Sequence, residues 1–388
     1  MNMKKIVFLT YHNWETKRQG GFHKFAEGAC ERGYDTIFFS FPRPYYIYFK
    51  NEERLNKHVL KKLTKGEKYN IGSNELLNIT FPTLALPGQI RKIIPGKINF
   101  WLQQKSFRSF KKFSEKYFAE TNYFVFESNE SLLLFNRIKK LFPKSCFIYR
   151  PSDPLLADPS TKISEYEKKI LPQFDWIFLV NTQGFQVYKK HISNFDTQSN
   201  YSILSNGVSL HDYQKNYVVP EPLKNSNTVL YVGALVIEWS LIVEASKRLK
   251  KFNFVIVCPE NPPTSFIKHV YNNSNIIYIN GISPENVPAW VTNCDIIIVP
   301  NPNNLYKAKP WGITAKYYQA MAAKKPIIAY HDTPELEKFG IKCTYDYDSF
   351  IMELKNCNFS ETVNYDFNFE EKDWRIIIEK FFSKIESL

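Results

Sequence analysis

Short apolar runs rich in β-branched and aromatic residues recur along this chain, separated by stretches with helical spacing. That alternation leaves few folds open. In the first half the runs at 5–10, 34–41, 123–126, 146–149 and 176–180 read as buried strands. After the turn dipeptide Asn206-Gly207 the pattern restarts, with runs at 228–232, 254–258, 276–279, 295–299 and 327–330. Strands joined through helices form parallel sheets covered on both faces. A length of 388 residues is long for one core and suits two domains of ordinary size. The expected architecture is therefore α/β, with two Rossmann-like doubly wound domains. The expected boundaries are 1–205, 206–370 and a final helix over 371–388 that packs on the first domain. Trp374, Ile377, Ile378, Phe381, Phe382 and Ile385 fall at helical spacing in that last segment. Two such domains facing each other would hold a ligand in the central cleft, at the carboxyl ends of their strands.

Charge narrows the partners. A formal net charge of +13 calls for something anionic: nucleic acid, an acidic lipid surface or a phosphorylated substrate. The basic residues are spread along the chain without one long Lys/Arg run, which argues against nucleic acid and leaves a non-catalytic polyanion-binding protein as the alternative class. The six cysteines lie far apart with no CxxC pair, as expected of reduced core residues in a cytoplasmic protein. No apolar run reaches membrane-spanning length, and the apolar start is too short for a signal peptide. Residues 42–95 are irregular, basic and aromatic. Residues 99–119 read as one long helix with Trp101, Phe107, Phe110, Phe113 and Phe118 among lysines and arginines. Two readings of the basic aromatic segment 97–116 are open: a helix lying on an anionic membrane surface, or an amphipathic helix packed on the first sheet.

The stretch 314–330, TAKYYQAMAAKKPIIAY, carries the most chemistry. It reads as a helix that starts at Thr314 and stops before Pro326, followed at once by a buried strand. Thr314 stands at the N-cap position, where backbone N–H groups and the helix dipole favour an anion. Lys316 adds a full charge against that dipole, and Gln319, three residues on, shares its face. An ordinary helix with a solvated lysine is the bland alternative.

Four segments together resemble the second half of a GT-B glycosyltransferase: LSNGVSLHDY (204–213), LYVGAL (230–235), NIIYINGISPENVPAWVTNCDIIIVPN (275–301) and AKYYQAMAAKKPIIAY. Within that class the chain resembles the xanthan-type, GumK-like bacterial glucuronosyltransferases, through NWETKRQGGFHKFA (13–26), YRPSDP (149–154) and Gln319, where many GT-B enzymes carry glutamate. The resemblance implies transfer of a sugar from a nucleotide diphosphate with no bound metal and no cofactor. Helix ends and basic side chains must then stabilise the leaving diphosphate. It assigns donor contacts to Lys316 and Gln319, and with them Thr314. Gly233 and Leu235, after the first strand of the second domain, either let the chain pass close to the donor or form a plain strand-end turn. Tyr306, in the loop 301–312, is the candidate for packing on the base or phosphate.

For catalysis, an inverting transfer needs one carboxylate to take a proton from the acceptor hydroxyl. The resemblance gives this role to Asp153, in the loop past the strand 146–149. The alternative is that Asp153 only caps a turn before Pro154. Arg150 is expected to orient that loop or to meet an acidic sugar. Lys307 and Lys309 are further cations for a glucuronate carboxylate. His23 is a candidate substrate contact, or else a satisfied surface or core residue. The triplet Asp346-Tyr347-Asp348 has a metal-site look that belongs to another glycosyltransferase architecture, so no metal is expected. The reading that results is an inverting glycosyltransferase moving a sugar from a UDP-sugar to a lipid-linked saccharide, with a retaining enzyme as the nearest rival. It would work in the cytoplasm, peripherally on the inner face of the plasma membrane.

Overall fold

The computed structural model describes residues 3–16, 19–51, 56–91, 93–225, 227–233, 237–302, 312–359 and 362–388. The chain divides into two compact units, Met1–Ser205 together with Ile378–Leu388, and Asn206–Ile377.

The first unit is built on β1 (Lys5–Thr10), β2 (Asp35–Ser40), β4 (Glu67–Ile71), β5 (Asn74–Ile79), β7 (Thr121–Glu127), β8 (Cys146–Arg150), β9 (Trp176–Leu179) and β10 (Tyr201–Ile203), with a short pair β3 (Arg43–Pro44) and β6 (Pro82–Thr83) beside it. The main sheet runs β10-β9-β8-β7-β1-β2-β5-β4. All its pairs are parallel except β4 with β5, an antiparallel hairpin. The apolar runs at 5–10, 123–126 and 146–149 thus become central strands, buried because helices cover both faces. The core is aromatic: Phe124 stacks on Phe147 at 5.5 Å, and Tyr149 stacks on Phe174 at 4.9 Å.

The second unit has β11 (Thr228–Val232), β12 (Asn253–Val257), β13 (Ile276–Ile279), β14 (Ile296–Pro300), β15 (Ile327–Tyr330) and β16 (Lys342–Thr344). They form one parallel sheet in the order β13-β12-β11-β14-β15-β16. This is the doubly wound order, whose switch point lies between β11 and β14. Omitting β4 alone from the first sheet leaves the same order with one further strand, β10, at its end, and the switch point between β1 and β7. Each unit is thus Rossmann-like.

Two expectations are corrected. The segment 99–119 is not one helix but two, Gly96–Leu102 and Phe110–Tyr117. The carbonyl of Lys105 accepts the N–H of Leu84 at 2.8 Å and is lost to any continuing helix. Ser109 then caps a new start by accepting from the Lys112 N–H. The irregular region 42–95 contains the helix Lys57–Lys65 and the β4–β5 hairpin. Its strand β4 alternates between partly and fully exposed residues, so it shows no buried apolar run. Among the described residues no helix is long and apolar enough to cross a membrane.

Candidate active site

In the second unit the helix Ala315–Ala322 follows β14 and precedes β15. Thr314 occupies its N-cap with extended backbone, yet its hydroxyl makes no capping bond. Its Oγ1 is buried with no hydrogen-bond partner among the described residues. Two residues on, Lys316 is half-buried while its Nζ is enclosed, and that Nζ also has no partner among the described residues. It rests over the ring of Tyr231 at 5.2 Å. Burial pulls the Lys316 amine down to about 8, against an opposing pull from Asp332 and Cys258. Enclosing an ammonium without a partner is costly, roughly 3 kcal/mol for a shift of this size.

The carboxylate that acts on Lys316, Asp332, is already engaged by other donors. Asp332, 2% exposed, follows β15 and accepts from Asn301 Nδ2 at 2.6 Å, from the Tyr317 hydroxyl at 2.5 Å and from the Thr333 N–H at 2.7 Å. Its charge reaches Lys316 only at longer range. Gly233 ends β11 opposite. A Cβ there would sit 3.0 Å from the Tyr231 hydroxyl and 3.8 Å from Lys316 Nζ. Glycine therefore keeps open the space into which the amine points. Gln319 lies within hydrogen-bonding reach of the Tyr213 hydroxyl, so its amide has an internal partner as well as the face it shares with Lys316. Leu235, Tyr306, Lys307 and Lys309 lie outside the described residues. Asp346 caps the helix Tyr347–Asn356 through the Ser349 N–H at 2.8 Å, and Asp348 pairs with Arg248 at 2.5 Å. Both ends of the triplet thus have surface roles.

In the first unit Asp153 is exposed, in the loop past β8, and its N–H donates to Ser128 Oγ at 3.3 Å. Two glutamates that the motif reading missed hold that loop. Glu127, 7% exposed at the end of β7, accepts from Thr10 Oγ1 at 2.5 Å and from Ser152 Oγ at 2.8 Å, joining β1, β7 and the loop at the switch point. Glu167, fully buried, accepts from the Tyr149 and Tyr188 hydroxyls and from the N–H groups of Leu155 and Leu156. Burial raises its carboxyl above the usual range while these four donors pull it back. Arg150 is 1% exposed, with its guanidinium over Phe25 at 4.6 Å and a bond to the Leu204 carbonyl at 3.4 Å. Burial lowers it to about 10, with Glu127 opposing. It is placed to orient the end of β8 from within the core.

His23 is internal and 2% exposed. Its Nδ1 accepts from the Gly20 N–H at 3.2 Å, so the proton sits on Nε2, which donates to the Asn13 carbonyl at 3.0 Å. Burial drives it down to about 3, with smaller downward pulls from His12 and Lys24 against the raising backbone bonds. Both ring nitrogens fasten the loop after β1, which leaves neither for a substrate. The expectation of a substrate contact at His23 is corrected accordingly.

Comparison with known proteins agrees with this layout. A family model described as the N-terminal domain of glucuronosyltransferase GumK matches residues 8–180, and one described as glycosyl transferases group 1 matches residues 226–350. No curated protein matches the chain. Among solved structures, HepE from Anabaena in complex with UDP and glucose aligns over 99% of this chain and 100% of its own, with a TM-score of 0.61 at 11% identity. The trehalose 6-phosphate synthase from Burkholderia multivorans covers 100% and 97%, with 0.59 at 9%. OtsA in its apo form covers 99% and 100%, with 0.60 at 10%. Likeness at such identity carries the fold, and the family models carry the activity. The chain is a glycosyltransferase of the GT-B fold. Over its first half it resembles the GumK-like glucuronosyltransferases.

Proposed function

We propose that this enzyme is an inverting, metal-independent glycosyltransferase that moves a sugar, glucuronate by the GumK likeness, from a UDP-sugar to a lipid-linked or polysaccharide acceptor in surface-polysaccharide synthesis. It needs no cofactor beyond that donor, and it works in the cytoplasm, peripherally on the inner face of the plasma membrane. The observation that carries the reading is the enclosed amine of Lys316, which has no hydrogen-bond partner among the described residues, at a helix start whose N-cap hydroxyl has none among them either. A diphosphate placed there would meet backbone N–H groups, a hydroxyl and a full charge. Each of these strengthens as the glycosidic bond breaks and charge moves onto the leaving group.

Asp153 takes the acceptor proton in this reading, from a loop braced by Glu127 and Glu167. Gly233 gives the donor access, Gln319 contacts the nucleotide, and Leu235, Tyr306 and Lys307 remain donor-side or substrate candidates. The UDP-bound complexes of HepE support the choice of nucleotide, and the excess of basic residues suits a pyrophosphate-bearing acceptor. The discriminating experiment is thermal denaturation with UDP-, GDP- and CMP-sugars, followed by product analysis. A UDP-sugar should stabilise the wild type and, at the same concentration, stabilise Lys316→Met much less. Equal stabilisation of both would refute the donor site, and retained anomeric configuration in the product would refute inversion.

A further inference from the structure

The carboxylate of Asp332 joins three parts of the second unit. Asn301, which donates to its Oδ2, follows β14. The Tyr317 hydroxyl, which donates to the same oxygen, belongs to the first turn of the helix Ala315–Ala322. The Thr333 N–H, on Oδ1, continues the chain beyond β15. All of these residues are buried, so the bonds are made away from water, where losing one is costly. The backbone is bent to place the acid. His331, between β15 and Asp332, has a φ of 47°, in the left-handed region that residues other than glycine seldom adopt. Such a conformation persists where surrounding contacts over-determine it. Here the His331 N–H bonds the Thr344 carbonyl at 3.0 Å, and the Asp332 N–H bonds the Cys343 sulfur at 3.3 Å.

The groups that face the Lys316 amine come from three strands. Asp332 lies beyond β15, Cys258 follows β12, and Tyr231 on β11 has its ring under the amine. Of these only Asp332 is a carboxylate. Burial pulls the proton off Lys316, and Asp332 is the larger of the two influences that oppose it, ahead of Cys258. A charge acts through space without contact. One carboxylate thus fastens the elements around the amine by hydrogen bonds and favours the charged amine by its field. The two effects are separable, because an amide of the same shape keeps an acceptor oxygen and loses the charge.

We infer that Asp332 is a positioning residue for the donor diphosphate: it ties β14, the helix Ala315–Ala322 and the end of β15 together around Lys316 and keeps that amine charged in the free enzyme. The inference rests on the donor site of the proposed function and names what prepares it. Two variants with opposite expected signs test it. In Asp332→Asn one oxygen can still accept from Asn301 and Tyr317, but Lys316 should lose its proton at lower pH. UDP affinity, read by calorimetry, should stay within about twofold of wild type near pH 6 and fall about tenfold below it near pH 9, for a break moved down by about one unit. Tyr317→Phe removes a donor from Oδ2 and leaves more of the charge to the amine, so its break should move to higher pH. Nitrogen-15 NMR titration of the Lys316 ammonium reads both displacements without UDP. Should Asp332→Asn not fold, the direction of the Tyr317→Phe displacement decides. A break that stays in place in both variants, with UDP affinity lowered equally at every pH, would make Asp332 a structural brace and overturn the proposal. So would tighter UDP binding by Asp332→Asn throughout, which would show the carboxylate opposing the ligand. Displacements seen by NMR, with UDP binding indifferent to Asp332→Asn and Lys316→Met alike, would overturn the donor site itself.

Discussion

Around the loop past β8 in the first unit the buried acidic groups are hydrogen-bonded on several sides. Glu127 accepts from three side chains, those of Thr10, Asn129 and Ser152, and buried Glu167 accepts from two tyrosines and two backbone N–H groups. At the switch point of the second sheet the basic group has no hydrogen-bond partner among the described residues: Lys316 holds its enclosed amine near Gly233, and the Thr314 hydroxyl likewise has none among them. The same strand order thus supports two different uses of a buried charge. A hydrogen-bonded buried carboxylate fixes a loop, and exposed Asp153 lies on that loop next to Ser152. An amine without a partner among the described residues gains strongly from an anionic ligand. The first unit is organised for position and the second for capture.

If the contrast holds, its largest signature is kinetic. Asp153→Asn should lower the transfer rate by about 10²–10⁴ with UDP affinity unchanged, as read by steady-state UDP release alongside calorimetric titration. Loss of UDP binding in that variant would break the division of labour. Next, Lys316→Met should weaken UDP about 10- to 100-fold and at the same time raise the melting temperature, because it removes an uncompensated buried charge. A variant that loses both binding and stability would show that Lys316 has a structural partner.

The third test follows pH. The free enzyme's Lys316 loses its proton above about 8, so UDP affinity should fall toward tenfold per pH unit beyond that point, as titrations in matched buffers would show. The stability sign is the reverse. With a folded value below the unfolded 10.5, the penalty is fully present below about 8 and is relieved as pH rises from there to 10.5. His23 acts at the other end. Its value near 3 against 6.5 unfolded means stability is lost as pH falls from 6.5 toward 3, and His23→Gln should flatten that loss in thermal scans. The smallest effect is expected from Gly233→Ala, where the added methyl must move the buried Tyr231 tip by a few tenths of an ångström. UDP affinity should drop several-fold, with the melting temperature little changed.

Much of this was legible in the chain itself. The strands 228–232, 276–279 and 327–330 lie where their β-branched runs put them, because strands buried on both faces must be continuously apolar. Lys316 and Thr314 were visible through a helix start in front of Pro326. The edge strand β4 and the three-residue edge strands β10 and β16 were not, since edge strands need few apolar residues. Neither were Glu127, Glu167 and Asp332. An isolated acid in sequence looks the same whether it is solvated or accepts four hydrogen bonds, and only the fold tells which donors converge on it. The helix break near Lys105 escaped for a similar reason: a distant N–H, that of Leu84, takes the carbonyl.

The last helix, Trp374–Glu386, bears on how the protein can be cut. Its stretch from Ile378 onward belongs to the first unit, where Phe381 packs on Phe25 at 4.6 Å and on Phe178 at 5.0 Å, and Glu379 and Glu386 bond Arg32 and Tyr34. Ile378 comes so near Gly28 that a methyl there would meet it at 2.6 Å. A fragment stopping at residue 205 would therefore be born with an open apolar trench along its first helix. Adding back the terminal peptide, residues 378–388, as a separate chain should cover that trench.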